Sequence, residues 1–320
     1  MNILCITPVK HLPSVEKNLK MLGNLKIYED VFIEEIKDEF AEAEVIFTNP
    51  NKAKFFLGKE VLDLSPKLKI ICTASTGTNH IDMELMKKND IEVISITKEL
   101  SVIENISSTA EHALALTLSS LRNLPSSFED VKNGNWDYTK YIGRQLDHLK
   151  IGVIGYGRLG KMYSRFMKPL AKEITFYDPY VREHETWIKK EEDLENLFTT
   201  SDIISLHIHV TQETTKLIDE KLLRKAKKNL ILVNTSRGEI IEEKNLLSFL
   251  KKNKFSKYAT DVLSDETKTI KKSDNKIIQF AKDSNQVIVT PHIGGMTEEA
   301  QKIAYNHAVK VLKDFINRSF

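Results

Sequence analysis

Long apolar runs are missing from this sequence of 320 residues, and none approaches the roughly 20 residues that a helix needs to cross a bilayer. The opening residues, MNILCITPVK, lack the charged and apolar regions of a signal peptide. Internal repeats of solenoid period and low-complexity segments are also missing. These absences predict a globular protein of the cytoplasm with no membrane partner.

An excess of charge of either sign is missing as well. The chain carries 47 Lys and Arg against 45 Asp and Glu, a formal net charge of +2. Short lysine clusters occur in 225–228, 251–254 and 271–272, where helices are predicted to end or polar loops to lie. Cations are favourable at helix C-termini, so we expect solvated surface there and no nucleic-acid partner.

Cysteine is scarce, which argues against a disulfide framework. The two cysteines, Cys5 and Cys72, lie in the apolar runs NILCIT and KIICTAS, which are typical of buried strands. Two thiols buried in separate strands indicate a reducing compartment.

Short apolar runs alternate with helix-compatible stretches along the whole chain, which is long enough for two domains. The first hundred residues contain NILCIT, EVIFTN, KLKIICTA and IEVISI, and a second series contains KIGVIG, EITFYD, DIISLHI, LILVNTS, YATDVL and QVIVT. Such alternation predicts parallel sheets with helices on both faces. Six parallel strands with crossovers are the content of a dinucleotide-binding domain.

A long helix is predicted over residues 101–124, between the two series. Ser107, Ser108 or Thr109 could cap its main body, and Pro125 marks its predicted end. Its Ala and Leu residues cover more than one face, which indicates a spine between domains, a subunit interface, or both. The tail TEEAQKIAYNHAVKVLKDFINRSF is predicted to form one amphipathic helix.

The sequence GYGRLG supplies a G-x-G-x-x-G motif directly after the predicted strand KIGVI and at the start of a helix candidate. In that setting Gly155 permits a tight turn, Gly157 lets the backbone approach a pyrophosphate, and Gly160 lets helix and strand pack closely. The helix N-terminus would bind the phosphates. Asp178 ends the next strand and would accept the ribose hydroxyls of NAD. The motif predicts NAD as the cofactor.

Three polar residues follow predicted strands in the second series: Arg237, Glu266 and His292. Taken singly, each residue has a structural explanation. Arg237 could be a turn residue, Glu266 a polar residue of a loop, and His292 a histidine whose hydrogen bonds are satisfied within the fold. Together they supply what reduction of a 2-oxo acid requires. Arg237 would bind the substrate carboxylate, His292 would donate a proton to the forming alkoxide, and Glu266 would orient the imidazole in its protonated form.

The sequence resembles the D-isomer-specific 2-hydroxyacid dehydrogenases over nearly its whole length. The most specific pieces are SSTAEHALAL, VIGYGRLG, NTSRGEIIEEKNLL, DVLSDE and TPHIGGMTEEAQ. The resemblance implies the same catalytic residues, with the substrate-binding arginine at Arg237, the supporting glutamate at Glu266 and the proton donor at His292. No metal enters this prediction.

The resemblance implies further contacts with cofactor and substrate. Asp261 would contact the nicotinamide amide, and Thr76 and Gly77 would border substrate and cofactor. The backbone of two segments would line the cofactor, around Arg158 and Leu159, and around Thr235 and Ser236.

The fold implied by the resemblance is α/β, with two doubly wound parallel-sheet domains and a cleft between them. A flavodoxin-like substrate domain would comprise residues 1–99 and 290–320, and a Rossmann NAD-binding domain would comprise 100–289. Family members form homodimers through the NAD-binding domain, which suits the apolar helix predicted over 101–124.

Two departures from the family pattern concern specificity. His209 replaces a usual proline in SLHIHVTQET, which indicates a different adenine pocket. Phosphoglycerate dehydrogenases carry arginines for the substrate phosphate in the loop that here reads Thr48-Asn49-Pro50, with only Lys52 and Lys54 nearby.

The predicted function is an NAD-dependent D-2-hydroxyacid dehydrogenase acting on a small 2-oxo acid. A D-3-phosphoglycerate dehydrogenase is the first alternative, supported by GTNHID and the TPHIGGMTEEAQ segment. An NADH-sensing, corepressor-like binding protein is the alternative from another class. Formate dehydrogenase is disfavoured, because those enzymes have a glutamine where Glu266 stands.

Overall fold

The computed structural model describes residues 1–50, 55–264, 266 and 272–319. The chain forms two compact units, the first built from Met1–Ile106 with the C-terminal segment from Met296, and the second from Ser107–Gly295. In chain order the strands are β1 Asn2–Cys5, β2 Asn24–Ile27, β3 Val45–Thr48, β4 Ile70–Thr73, β5 Glu92–Ser95, β6 Lys150–Ile154, β7 Glu173–Tyr177, β8 Lys189–Lys190, β9 Ile203–Leu206, β10 Ile231–Asn234, β11 Lys257–Thr260 and β12 Val287–Val289. The α-helices are α1 Pro13–Leu22, α2 Lys37–Glu42, α3 Lys59–Leu64, α4 Met83–Lys88, α5 Leu100–Ile103, α6 Ser108–Arg122, α7 Leu124–Lys132, α8 Arg158–Met167, α9 Leu194–Thr200, α10 Glu220–Lys225, α11 Glu243–Lys252, α12 Lys276–Lys282 and α13 Glu298–Ser319. Short 3-10 helices lie at Ile33–Ile36, Tyr138–Tyr141, Leu146–His148, Gly238–Ile240 and Lys272–Asp274.

The first unit contains a five-stranded parallel sheet of order β2-β1-β3-β4-β5. This is the flavodoxin-like order, as predicted. The four apolar runs predicted as strands form β1, β3, β4 and β5. Sequence reasoning missed β2, because it is an edge strand whose residues NLKI are only partly buried.

Alternate residues of the central strands serve two cores, one on each face of the first sheet. Ile3 and Cys5 of β1 pack in a core with α1 and α13, while Leu4 packs in the core formed with α2, α3 and α4. Helices on both faces explain why the strands are nearly all apolar.

Both cysteines are buried and free, as predicted. Cys5 lies in β1 and Cys72 in β4, with β3 between these two strands. Burial raises the pKa of the Cys5 thiol to about 12 and also raises the pKa of Cys72. The buried thiols therefore pack as small apolar side chains and stay protonated at neutral pH.

The predicted C-terminal helix is confirmed as α13, which buries Ala304, Ala308 and Leu312 against the first sheet. Among the described residues, no helix combines the length and apolar character that crossing a membrane requires.

The second unit contains a seven-stranded parallel sheet of order β12-β11-β10-β9-β6-β7-β8. The six predicted strands are confirmed, and the two-residue β8 at the edge was missed because KK carries no apolar signal. The strand order reverses at β6, since β7 lies on one side of it and β9 on the other. In such sheets a ligand binds outside the carboxyl ends of the strands at this reversal.

The helix predicted over 101–124 is interrupted, which corrects that prediction. α5 ends at Ile103, and α6 begins at Ser108 after Ser107, whose hydroxyl donates a hydrogen bond to Glu111. α6 ends at Arg122 because Asn123 adopts a left-handed conformation with φ of 53°. Pro125 therefore lies in the first turn of α7, a position that proline favours because it has no N–H to satisfy there.

The units divide a few residues after the predicted limits of 99/100 and 289/290. Ile103 and Ile106 pack in the core of the first unit, so that unit extends past α5. At the second limit, Ile293 and Gly294 donate hydrogen bonds to Asp261 of the second unit. The substrate and cofactor roles assigned to the two units stay predictions.

Candidate active site

The glycine-rich motif forms the turn between β6 and α8. Gly155 has a φ of +89°, and a Cβ there would lie 2.4 Å from the carbonyl oxygen of His207. Gly160 packs so closely that a Cβ would lie 2.0 Å from the carbonyl oxygen of Gly155. At Gly157, by contrast, no described heavy atom lies within 4 Å of the Cβ position. The turn is therefore tight on its inner side and open at the N-terminus of α8.

Asp178 follows β7 and braces this turn. Its Oδ2 accepts a hydrogen bond of 2.9 Å from the backbone N–H of Tyr156, and its Oδ1 accepts one of 2.9 Å from the N–H of Tyr180. These two bonds hold the carboxylate beside the glycine-rich turn, where sequence reasoning places the ribose of NAD.

The side chain of Tyr156 anchors the motif on its buried side. Its ring stacks on Phe176 with centroids 4.0 Å apart, and its hydroxyl donates a hydrogen bond of 2.8 Å to Glu185. Arg165 donates to the other oxygen of Glu185 at 3.0 Å. Burial acts to raise the pKa of Glu185, but these hydrogen bonds lower it to about 2.

The loop after β10 is hydrogen-bonded to the loop after β9, which in turn packs on Gly155 of the glycine-rich turn. The Ser236 hydroxyl donates to the carbonyl of Leu206 at 2.7 Å and accepts from the N–H of Ile208 at 3.2 Å. The buried Thr235 Oγ1 has no hydrogen-bond partner among the described residues.

These features fit a dinucleotide. The backbone N–H groups in the first turn of α8, at Arg158 and Leu159, lie at the positive end of the helix dipole, and Gly157 leaves open space in front of them. Thr235 offers an unused hydroxyl at the neighbouring strand end.

His292 and Glu266 form a direct pair. Nδ1 of His292 lies 2.5 Å from Oε1 and 3.2 Å from Oε2 of Glu266. Because an ionised carboxylate can only accept, Nδ1 carries a hydrogen. Nε2, on the other side of the ring, is then the nitrogen that can gain or release a proton. The pair can therefore act as a general acid and base.

The backbone of His292 is left-handed, with a φ of 56°. Such a conformation is costly for a residue with a Cβ and persists only where the surroundings hold it. Here the buried Asp261 carboxylate holds the next two residues, accepting from the N–H of Ile293 at 2.8 Å and of Gly294 at 2.7 Å. The contact of Asp261 with the nicotinamide stays a prediction.

Arg237 lies in the loop after β10, close to Glu266. Burial lowers the pKa of its guanidinium, and the negative charges of Glu266 and Glu239 act against this. The next residue packs directly on the chain that leads to Glu266, because a Cβ on Gly238 would lie 2.1 Å from the backbone of Leu263 and Ser264. The fold thus brings Arg237, Glu266 and His292 to one edge of the second sheet.

Thr76 and Gly77 belong to the first unit, in the loop after β4. The Thr97 hydroxyl donates to the carbonyl of Thr76 at 2.6 Å, and the N–H of Gly77 donates to the Ser75 hydroxyl at 3.0 Å. Their contact with substrate stays a prediction. Lys52 and Lys54 lie outside the described residues.

The sequence predicted no role for His112 of α6, which lies beside the loop that follows β12 and carries His292, called the catalytic loop below. Its Nε2 lies 2.9 Å from Thr290 Oγ1 and 3.3 Å from Asp261 Oδ1. The sequence signal was weak, because one histidine on an apolar helix has many structural explanations.

His209, noted only as a departure from the family, also lies at this sheet edge. Partial burial of its ring lowers its pKa, and so do the positive charges of Arg237 and Arg158. The positive charges of Arg237 and Arg158 thus lie near His209 at the carboxyl edge of the second sheet, where they can attract an anionic ligand.

Comparison with known proteins adds independent findings. The model of the family described as D-isomer specific 2-hydroxyacid dehydrogenase, NAD binding domain, matches residues 114–294. The D-3-phosphoglycerate dehydrogenase of Methanocaldococcus jannaschii is 31% identical over 291 residues, which cover 90% of this chain and 52% of that protein. The Archaeoglobus fulgidus protein of the same name is 33% identical over 261 residues, covering 81% and 46%. The chain therefore spans about half the length of the curated relatives it matches.

Solved structures resemble the chain over its whole length. D-lactate dehydrogenase from Aquifex aeolicus, complexed with NAD and lactic acid, has a TM-score of 0.83 and 31% identity, covering 99% of this chain and 96% of that one. NAD-dependent formate dehydrogenase from Staphylococcus aureus, in complex with NAD, has a TM-score of 0.85 and 26% identity, covering 100% and 97%.

Proposed function

Because the chain belongs to the family of D-isomer-specific 2-hydroxyacid dehydrogenases, we propose that it interconverts a small 2-oxo acid and the D-2-hydroxy acid with NAD as cofactor. The observation that carries this proposal is the hydrogen-bonded pair of His292 and Glu266 at the sheet edge that also bears the glycine-rich turn. A general acid beside a dinucleotide site is what reduction of a carbonyl needs.

Each residue of the site has one task in the proposed reduction. Bound NADH would supply the hydride. Arg237 binds the substrate carboxylate through its planar guanidinium. His292 donates the proton from Nε2 to the forming alkoxide, while Glu266 accepts from Nδ1 and compensates the positive charge of the imidazolium. In the oxidation of the hydroxy acid, neutral His292 accepts the proton at Nε2.

Turnover with a panel of substrates tests the proposal. Purified protein would be mixed with NADH and pyruvate, hydroxypyruvate or 3-phosphohydroxypyruvate, NADH oxidation followed at 340 nm, and the product resolved on a chiral column. We expect turnover of at least one acid and a D product. Tight NADH binding without turnover of any acid would contradict the proposal and favour the NADH-sensing binding protein.

A D-3-phosphoglycerate dehydrogenase is the second candidate, favoured by the names of the curated relatives. Thr48 at the end of β3 and the next two residues, Asn49 and Pro50, are uncharged, while Lys52 and Lys54 lie outside the described residues. We therefore propose a substrate without phosphate, and the same panel decides. A kcat/KM for 3-phosphohydroxypyruvate more than about tenfold above that for hydroxypyruvate would establish the phosphate-binding alternative.

We also propose a homodimer formed through the second unit, at a surface different from the one predicted. Most apolar residues of α6 pack within the unit, with Ala113 and Leu116 in its core. α7 and the segment after it instead leave Phe128, Trp136 and Ile142 largely exposed. Large apolar side chains exposed within one short stretch of the sequence support an interface. Light scattering should give a dimer for the wild type and a monomer for Trp136→Glu, and a monomeric wild type would contradict the proposal.

A further inference from the structure

We propose that His112 is a positioning residue for the proposed reaction: through Thr290 and Asp261 it fixes the backbone that carries His292. This inference rests on the proposed function of His292. It concerns a residue of α6 that does not itself meet the reacting atoms, and it follows from a chain of hydrogen bonds within the second unit.

The direction of each hydrogen bond in this series follows from which of the groups carries a hydrogen. Thr290 Oγ1 lies 2.6 Å from Asp261 Oδ1, and the ionised carboxylate can only accept, so the single hydroxyl hydrogen of Thr290 points to Asp261. The Thr290 oxygen must then accept from His112 Nε2, 2.9 Å away. His112 therefore carries a hydrogen on Nε2 whether the ring is neutral or charged.

Asp261 connects His112 and Thr290 to the catalytic loop. Burial acts to raise the pKa of Asp261, but hydrogen bonds from His112, Thr290, Ile293 and Gly294 hold it below its usual range. The ionised carboxylate accepts at both oxygens from the chain just after His292. Hydrogen bonds from His112 and Thr290 on one side, and from the residues after His292 on the other, thus keep the buried Asp261 carboxylate charged and in place.

The catalytic loop needs such a support because His292 is strained. With a φ of 56°, its backbone would relax if the bonds from Ile293 and Gly294 to Asp261 were lost. Relaxation would move the imidazole away from its pairing with Glu266. A displacement of about 1 Å of a catalytic group can cost on the order of 100-fold in rate.

α6, the helix at which this series of hydrogen bonds begins, is rigid. Ala110, Ala113 and Leu116 of α6 are buried in the core of the second unit, on either side of His112 in sequence. His112 is itself only 17% exposed. The support of the catalytic loop therefore comes from the packed interior of the unit.

Matched substitutions at His112 separate positioning from general stability. The amide nitrogen of Gln can occupy the place of imidazole Nε2, whereas that of Asn corresponds to Nδ1 and does not reach Thr290. His112→Gln, His112→Asn and His112→Ala would be compared with the exposed control His148→Ala in the full-length protein. The measurements are kcat, KM for the oxo acid, the Kd of NADH by fluorescence titration, thermal unfolding, and hydrogen exchange of a peptide spanning residues 288–296.

We expect His112→Asn and His112→Ala to lower kcat by about 10- to 100-fold, with the Kd of NADH within about threefold of the wild type. His112→Gln should restore kcat to within about threefold of the wild type. The Asn and Ala variants should also exchange the amides of Ile293 and Gly294 faster, and the Gln and His148→Ala variants should not.

Two results would overturn the inference. One is wild-type kcat and exchange in His112→Asn, and the other is a loss in His112→Gln as large as in His112→Asn. If the wild type turns over no 2-oxo acid, the proposed function fails, but the exchange measurement still decides whether His112 fixes the loop. If His112→Ala does not fold, the Gln and Asn pair decides alone.

Discussion

Replacing Gly157 by Ala should weaken NADH binding without unfolding the chain. The φ of Gly157 is −76°, which any L residue adopts, and no described atom lies within 4 Å of the added Cβ. The folded chain therefore has room for the methyl group. The methyl group would instead fill the space in front of the N-terminus of α8, where we place the pyrophosphate.

The magnitude follows from the hydrogen bonds that the methyl group displaces. A hydrogen bond to a charged group contributes about 1.5–3 kcal/mol, so losing one should weaken NADH binding by about 10- to 150-fold. Gly157 is the N-cap of α8, and Ala is a poorer N-cap than Gly, so the substitution should cost some stability. The cost should be about 1 kcal/mol or less, because the methyl group meets no described atom.

Gly160→Ala is the matched control in the same turn. Its Cβ would lie 2.0 Å from the carbonyl oxygen of Gly155, so the backbone must shift. Such overpacking costs about 1–3 kcal/mol or more. The urea midpoint, measured without NADH because bound ligand stabilises the folded state, should fall clearly for Gly160→Ala and little for Gly157→Ala.

Fluorescence titration with NADH gives the affinity of each variant. Binding of NADH by Gly157→Ala within about twofold of the wild type, or a loss of stability as large as that of Gly160→Ala, would contradict this placement of the pyrophosphate.

Three further outcomes are expected. Arg237→Lys keeps the charge but loses the planar fork, so the KM for the oxo acid should rise about tenfold or more in steady-state kinetics, and an unchanged KM would exclude the carboxylate contact. Asp178→Asn removes a charge that repels a 2′-phosphate, so the ratio of kcat/KM for NADPH to that for NADH should rise by about tenfold or more, and a constant ratio would argue against a ribose contact. Glu185 has its pKa lowered from 4.5 to about 2 in the folded chain, so its stabilisation, at most about 3 kcal/mol, is complete above pH 4.5 and is lost as the pH falls towards 2. Urea unfolding at pH 6 and pH 3 should therefore show a smaller loss for Glu185→Gln than for the wild type, and equal losses would contradict the role of this carboxylate.

Local patterns in the sequence predicted the parts of the fold that depend on local physics. Apolar runs gave ten strands, because residues buried on both faces of a parallel sheet are nearly all apolar. The spacing of Gly155, Gly157 and Gly160 predicted the turn, because each of these positions is expected to require a residue without a side chain. Arg237 and His292 were found because the carboxyl ends of parallel strands meet at one edge.

The remaining features depend on packing between distant segments. β2 and β8 are edge strands that pair without burying enough apolar surface to be recognised. Asn123 supplied the left-handed residue that ends α6, while Pro125, the expected terminator, begins α7. His112 and Thr290 are 178 positions apart, and only the folded chain brings them together.

The rate of His292→Ala tests the central claim most directly. With the best 2-oxo acid at saturation, kcat for NADH oxidation should fall by roughly 10² to 10⁴, the usual contribution of a general acid. The Kd of NADH should stay near the wild-type value, because the described cofactor turn does not involve His292. A loss of kcat smaller than about tenfold would contradict the assignment of His292 as the proton donor.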